Sequence, residues 1–412
     1  MLIHKAYKYR LEPTNEQNQV FHQWAGVCRL VYNLALEQRK VFYRQAKAQG
    51  VNINFYWQSL QLKDLRAAYD WIEAVPFRCE QQVLRNLEVA FKNLNAGWAG
   101  FPTFKKRHHL AFHFVSEVKA PEEDGYFHKV RVPKVGWVQL RCNRMPEGRI
   151  LNTTFSHHAG HWYISFCTEQ EIADPIHPNA DRVVGINRGM RTFTALSNGE
   201  WFSMDEAQNR ISAIDKKLVS LQRKAARQWQ TNGKQKSGRW RDTQLRIARL
   251  KKKQADIRLH FLHNLSNRLT QEFGQIAIED FDIKKMSAHD GEWKQDFNRE
   301  MLSQGWFEFA RQLEYKLTWR GGTALHVSAV NITKECSQCG ALNDAPAKIE
   351  VNAPSLNRWG MIREDRIYKC GTCHNTLDMD VNAAINVLKR AVDSGRKPPS
   401  THAEGASALV EA

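Results

Sequence analysis

The chain has no apolar run that approaches the ~20 residues of a membrane-spanning helix, and residues 1–10 lack the apolar stretch of a secretory leader. A membrane protein is therefore not expected, and a cytoplasmic one is. Acidic side chains are scarce, with 43 Asp and Glu against 60 Lys and Arg and a net charge of +17. Such an excess is more than solubility requires and points to a polyanionic partner. Cysteine supplies no disulfide framework, since Cys28, Cys79, Cys142 and Cys167 are scattered singly, where small buried thiols are the ordinary reading. No heptad seam is long enough to demand a dimer. The 412 residues nonetheless suffice for two or three domains, because a single core stops growing at ~250–300 residues.

Three textures follow one another. Lys5 to Arg10 alternates apolar and basic residues and predicts a short strand, and Pro13-Thr14 opens a helical pattern through Phe21, Trp24, Cys28, Val31 and Leu34. Helical signal continues to about Leu94, so residues 13–103 read as a helical insertion. From Phe112 to Thr168 the pattern alternates between Gly, Pro and Asn turns, which predicts a small β-barrel or sheet over residues 1–12 and 104–180. The third texture begins with a buried strand at Val183-Val-Gly-Ile. Thr192 to Leu196 makes a second strand, and a hairpin turn at Ser197-Asn-Gly-Glu leads into Trp201-Phe202, giving three antiparallel strands.

A long helical pair over residues 209–273, interrupted between Gly233 and Gly238, separates these strands from a fourth at Gln275 to Glu279. Trp306 to Trp319 predicts a helix, Leu325 to Val330 a fifth strand, Asp380 to Arg390 a last helix, and residues 393–412 a disordered tail. The fold class is α+β with several domains.

The helical pair carries most of the charge. Arg210 to Arg258 holds 16 basic and 3 acidic residues, Arg223, Lys224, Arg227, Lys251, Lys252 and Lys253 among them. A balanced pattern would read as a solvated surface. This one repels itself unless phosphates neutralise it, so it is expected to bind nucleic acid. Phe104, Lys105 and Lys106 set cations beside an aromatic ring, as phosphate contact with stacking requires, although a solvated loop has the same composition. Gln81 and Gln82 fall on a helix starting near Pro76; glutamine pairs bidentately with adenine, yet on most surfaces it does nothing of the kind. Arg29 and Asn33 lie one helical turn apart, placed either to face phosphate together or to brace the helix.

Two C-x-x-C pairs, Cys336/Cys339 and Cys370/Cys373, stand 30 residues apart. Each can grip one ion from a tight turn, and together they complete a tetrahedral S4 set with no open position, which predicts structural zinc. Thioredoxin-like redox chemistry needs one pair, not two. His374 is surplus to this set.

RNase H-like nucleases build a two-metal centre from acidic residues on the first strand, the fourth strand and a late helix. Here Glu279 ends the fourth strand and Asp380 opens the last helix, while the matching first-strand residue is Asn187. Further segments are Tyr7-Lys-Tyr-Arg-Leu with Pro13-Thr14, Gly26-Val-Cys-Arg-Leu-Val-Tyr-Asn, Phe101-Pro-Thr-Phe-Lys-Lys, Val184-Gly-Ile-Asn-Arg-Gly, Ile278-Glu-Asp and Asp378-Met-Asp-Val-Asn-Ala-Ala. Through these the chain resembles the TnpB (OrfB) family of RNA-guided nucleases of insertion sequences, related to type V CRISPR effectors.

The resemblance implies an RNase H-like (RuvC) domain over residues 181–333 and 376–392 that includes the basic hairpin, with a zinc ribbon, 334–375, inserted. It also implies a wedge-like N-terminal barrel interrupted by a recognition insertion. Partners implied are a guide RNA, with one protein per guide, and target double-stranded DNA bearing a short flanking motif. Glu279 and Asp380 match two of the family's magnesium ligands and catalytic residues, whereas Asn187 stands where the family has Asp.

Two ions ~3.5–4 Å apart need an anionic bridge that a neutral amide cannot supply, so the magnesium site is expected to be weakened or to hold a single ion. Asp181, Asp280, Asp282 and Asp378 lie nearby in sequence, none at the bridging position. Binding without cutting is the expectation, as in the nuclease-dead TnpB-like repressors. The alternative is an endonuclease supporting transposition, with residual activity or carrying an engineered inactivating substitution.

Overall fold

A computed structural model describes residues 1–48, 53–124, 127–189, 192–280, 303–343, 355–356, 362–363 and 367–393. The expected tail lies outside the described residues, apart from Asp393. The chain divides into a unit of residues Met1–Ile172 and a second unit beginning at Ala173.

The first unit opens with β1 (Leu2–Glu12), α1 (Asn15–Ala48), α2 (Phe55–Ala68), α3 (Asp70–Glu73) and α4 (Phe77–Asn95). It continues with β2 (Ala111–Val115), β3 (Glu122–Asp124), β4 (Phe127–Val132), β5 (Gly136–Arg141), β6 (Arg149–His158) and β7 (His161–Glu171). These strands form one antiparallel sheet in the order β2-β6-β7-β1-β5-β4-β3. Strand β1 is longer than its alternating pattern suggests, because it pairs with β7 from Leu2 opposite Glu171 to Arg10 opposite Tyr163.

Helix α1 starts at a reciprocal cap. The Gln17 amide donates to Thr14 Oγ1 at 3.2 Å, and the Thr14 amide donates to Gln17 Oε1 at 3.1 Å, satisfying two donors that a helix start leaves open. Its apolar stripe, Phe21, Trp24, Cys28 and Val31, is buried in one core with Phe112, Phe114, Phe155 and Trp162 of the sheet. Each such fully buried large apolar side chain contributes ~1.5–3 kcal/mol. The sequence pattern separates helices from strands, but α1 and the sheet share this interior.

The second unit contains β8 (Val183–Arg188), β9 (Thr194–Leu196), β10 (Trp201–Phe202), α5 (Asp205–Thr231), α6 (Gly238–Glu272), β11 (Gln275–Asp280), α7 (Trp306–Arg320) and β12 (Thr323–Ser328). After them come β13 (Ser355–Leu356), β14 (Ile362–Arg363), β15 (Ile367–Lys369), β16 (Thr376–Asp378) and α8 (Met379–Asp393). The main sheet has the order β10-β9-β8-β11-β12, with β8, β9 and β10 antiparallel in succession and β11 parallel to both β8 and β12. The turn at Ser197-Asn-Gly-Glu forms as read, with Gly199 at φ +87°.

Two strands begin elsewhere than the sequence suggests. β9 starts at Thr194 and not Thr192. β12 runs from Thr323 and not Leu325, since its parallel ladder with β11 pairs Gln275 with Thr323 and ends at Asp280 opposite Ser328. Ala329 and Val330 continue the apolar pattern but lie outside β12.

The sheet's two faces are covered differently. Val184, Ile186, Ile276 and Ile278 face the core that buries α5, α6 and α7, whereas Ala277, Leu325 and Val327 pack with Ala383 and Val387 of α8. Gly185 lies under α8, where an added Cβ would sit 2.2 Å from the carbonyl oxygen of Ala384. A side chain there would lift the helix off the strand, so glycine fixes how closely the start of α8 approaches β8.

Candidate metal centres and nucleic-acid surface

The parallel register pairs Ile186 with Ile278, so the next residues, Asn187 and Glu279, stand side by side where β8 and β11 end. Helix α8, seated on Gly185, brings Asp380 to the same place. All three are buried, at 6%, 2% and 5% exposure respectively. Asn187 Nδ2 lies 3.4 Å from Asp380 Oδ1, a long contact in which the amide donates to the carboxylate. The backbone carbonyl of Asn187 accepts from Thr194 Oγ1 at 3.1 Å, which fixes the end of the strand.

Glu279 has a partner that sequence reasoning missed. The Arg188 backbone amide donates to Glu279 Oε1 at 2.8 Å, and the Arg188 Nε lies 3.8 Å from the same oxygen. The guanidinium also donates to the carbonyl oxygens of Glu279 and Trp306, the latter at 3.2 Å. Burial pushes the Glu279 carboxyl up to about 7, Arg188 opposes the rise, and neighbouring Asp380 adds to it. Burial likewise lowers Arg188, and the Glu279 charge opposes that shift.

Glu279 and Asp380 offer carboxylate oxygens, the donor type that a hard cation takes, whereas the third side chain is a neutral amide that donates toward Asp380. Of the neighbouring acids, Asp378 Oδ1 accepts from the backbone amides of Asp380 and Val381 at 3.0 and 2.9 Å and caps α8. Asp280 is exposed and 2.7 Å from His326 Nδ1, Asp181 is exposed, and Asp282 lies outside the described residues.

The cysteines converge. The sulfur atoms of Cys336, Cys339, Cys370 and Cys373 all lie within 4.8 Å of one another, and among the described residues they are the one group of three or more His, Cys, Asp or Glu side chains so arranged. Cys336 to Cys373 is 3.7 Å and Cys339 to Cys370 is 3.6 Å. A tetrahedron with ~2.3 Å zinc–sulfur bonds has edges of ~3.8 Å, so the set fits zinc. The turns are typical of metal knuckles: the amides of Thr372 and Cys373 point at Cys370 Sγ from 3.4 and 3.5 Å, and Gly340 takes φ +77°. His374 is exposed and outside the set.

Two asparagines join this cluster to α8. Asn382 Oδ1 accepts from the Ser337 amide at 2.8 Å, and its Nδ2 donates to the Glu335 carbonyl at 2.8 Å. Asn386 Nδ2 donates to the carbonyls of Ile332 and Glu335 at 2.9 and 2.8 Å. The helix that presents Asp380 is thus tied to the first cysteine turn. Their i, i+4 spacing is visible in the sequence, but a polar pair at that spacing reads equally as a wet helix face.

Of the predicted nucleic-acid contacts, Asn33 exchanges two hydrogen bonds with the Lys105 backbone, at 3.1 and 2.8 Å, so it braces the segment of Phe104 and Lys105. Arg29 is half-buried and does not share that contact. Lys105 Nζ stands 5.0 Å from the Tyr32 ring centroid, Phe104 is exposed with Lys40 Nζ 5.4 Å from its ring, and Lys106 is exposed. Gln82 donates to Asn86 on the surface of α4, beside half-buried Gln81. Arg223, Lys224, Arg227, Lys251 and Lys253 are exposed on α5 and α6, and Lys252 pairs with Asp256 at 2.7 Å. Ile211, Ile214, Leu218, Ile247 and Ile257 on the same helices are buried, so the hairpin is firmly seated and its charge faces outward.

Comparison with known proteins adds the following. Residues 1–48 match a family described as "Helix-turn-helix domain", 165–290 one described as "Probable transposase", and 306–387 one described as "Cas12f1-like, TNB domain". Over the first of these the structure has a strand and one long helix. The chain is 32% identical over 397 residues to "Putative RNA-guided DNA endonuclease InsQ" of Escherichia coli K12, covering 93% of this chain and 91% of that protein. It is 29% identical over 400 residues to a "Putative RNA-guided DNA endonuclease" of Streptomyces pristinaespiralis, covering 94% and 89%. In fold it is similar to a chain in a structure of a Cas12f1-sgRNA-target DNA complex, with a TM-score of 0.55, 14% identity, and coverage of 94% and 99%. No described helix is long and apolar enough to cross a membrane. With a relative this similar along nine-tenths of both sequences, and with family matches spread from the first strand to the last helix, the chain belongs to the TnpB (OrfB) family.

Proposed function

We propose that the protein carries a guide RNA and is directed by it to matching double-stranded DNA beside a short flanking motif, where it stays bound without cutting and acts as a repressor. The names of its relatives support the RNA-guided part. The order of three antiparallel strands followed by two parallel ones supports reading residues 181–333 and 376–392 as an RNase H-like (RuvC) domain, with the zinc ribbon 334–375 inserted. In the same reading residues 1–12 and 104–180 form a wedge-like barrel, and 13–103 the recognition insertion. One copy serves each guide RNA in the cytoplasm.

The observation that carries the non-cutting part is the Asn187 amide, buried at the end of β8 and 3.4 Å from Asp380. Target sequence is read by base pairing, and the chain's task is to hold phosphates, for which the exposed cations of α5 and α6 are suited. Glu279 and Asp380 would hold a magnesium ion, which would supply Lewis-acid stabilisation of phosphate charge. Glu279 is held in place by Arg188, and Asp380 by the cap at Asp378 and the seat of α8 on Gly185. Asn187 contributes no charge to them.

A second reading, an RNA-guided endonuclease supporting transposition, is favoured by the intact Glu279, Asp380 and cysteine cluster and by the names of the relatives. Cleavage of a guide-matched duplex in Mg²⁺ by the native complex and its Asn187→Asp variant separates the two. Cutting by the variant alone, at least ~10³-fold faster, is expected. Equal cutting by both eliminates the non-cutting reading.

A further inference from the structure

We propose that the tip of the basic hairpin is a binding site for one unpaired base of a single-stranded RNA, held against Trp229 and Trp240. The proposal rests on the guide-RNA reading above for its biological occupant. The chemistry rests on the pocket itself.

Trp229 lies in the last turn of α5 and Trp240 in the first turn of α6. The turn between them brings the rings to 5.4 Å between centroids at an interplanar angle of 42°. Together they line a pocket with Ala225 and Ile247 as buried floor and Gln222, Gln244 and Lys251 around it. Lys236 Nζ reaches over the Trp240 ring, 6.0 Å from its centroid.

Two tryptophans closing a hairpin could serve only to staple it, and Trp240 does pack on the core beneath. A staple needs neither an open pocket beside the rings nor amide side chains around it, and it gains nothing from a surface of 16 basic against 3 acidic residues. A nucleotide uses all of these. Its flat base stacks on an aromatic face, its polar edge meets glutamine amides that both donate and accept, and its phosphates meet lysines.

Charge complementarity thus selects a nucleic acid, and the tilted rings select a base outside a duplex, since paired and stacked bases expose no face. RNA is the strand that fits. In an RNA-guided protein the guide offers unpaired loop and bulge bases in every state, whereas single-stranded DNA exists only after the target has opened.

The test uses the full-length chain and three labelled 12-nucleotide single strands: oligouridine RNA, the same RNA with abasic sugars, and oligothymidine DNA. Replacing both rings (Trp229→Leu with Trp240→Leu) is expected to weaken oligouridine binding about ten- to hundred-fold and to leave the abasic strand unchanged. Trp240→Tyr, which keeps an aromatic face, is expected to stay within about threefold of the native protein. No loss, or equal loss on the abasic strand, overturns the base pocket, and equal loss on DNA overturns the assignment to RNA.

Should the double variant melt early, ultraviolet cross-linking of oligouridine to the native chain decides the matter. An adduct on Trp229, Trp240 or Lys251 supports the pocket, and adducts only elsewhere overturn it. The guide-RNA reading fails on its own ground, if no discrete RNA species copurifies with the protein, and the oligonucleotide result stands apart from that outcome.

Discussion

The cysteine cluster and the carboxylate centre share helix α8 and are built in opposite ways. Each cysteine pair sits in its own tight turn, so the geometry is largely local, and four thiolates would surround one ion. The carboxylate centre is assembled from β8, β11 and α8, residues 187, 279 and 380 in the chain, and each element contributes a single side chain. Exchanging Asp for Asn at one of them alters a charge and hardly alters volume, so the fold is expected to tolerate it, whereas on the reading proposed above the chemistry is not. A locally built site keeps its identity as long as its motif survives; a site assembled across the fold can lose its function through one atom.

The sharpest way to break the comparison is to treat the cysteine site as the carboxylate site has been treated. Cys370→Ser should reduce bound zinc from one per chain to below about 0.1 and remove hydrogen-exchange protection from the ribbon, because structural zinc supplies ~10 kcal/mol or more of folding energy. Elemental analysis and exchange mass spectrometry check this. Next in size is Asn382→Ala, which strands the buried Ser337 amide and leaves the Glu335 carbonyl with Asn386 as its side-chain donor. A loss of about 3 kcal/mol in denaturant unfolding is expected, together with faster zinc release to a chelator.

Gly185→Ala pushes a methyl into the Ala384 carbonyl. Calorimetry should find about 2 kcal/mol less stability, with any metal affinity at Asp380 falling further than at the cysteines. Smallest is Lys252→Gln. It breaks an exposed pair with Asp256 and should change stability by less than about 1 kcal/mol, while lowering the salt dependence of RNA binding by roughly one counterion.

Much of this was legible in the residues. Five strands, the first three antiparallel in succession, followed from three alternating or buried runs and then two more, and the cysteine site from two short spacings; that β11 lies parallel between β8 and β12 did not. Asn187 stood out because it interrupts an otherwise acidic set. What could not be read were contacts between distant segments. Arg188 follows Asn187 directly, yet its grip on Glu279 depends on how β11 lies beside β8. Asn33 was open to two roles until its bonds to Lys105, 72 residues away, made it a brace. The start of β12 is set by its partner's register and not by its own apolar pattern, and the pairing of Trp229 with Trp240 depends on the turn between two helices.

Counting manganese ions by electron paramagnetic resonance on the zinc-loaded protein with guide and matched DNA, native against Asn187→Asp, tests the role of that amide most directly. At most one tightly held Mn²⁺ per native chain and two in the variant is the result predicted here. Two tightly held ions in the native protein would contradict it.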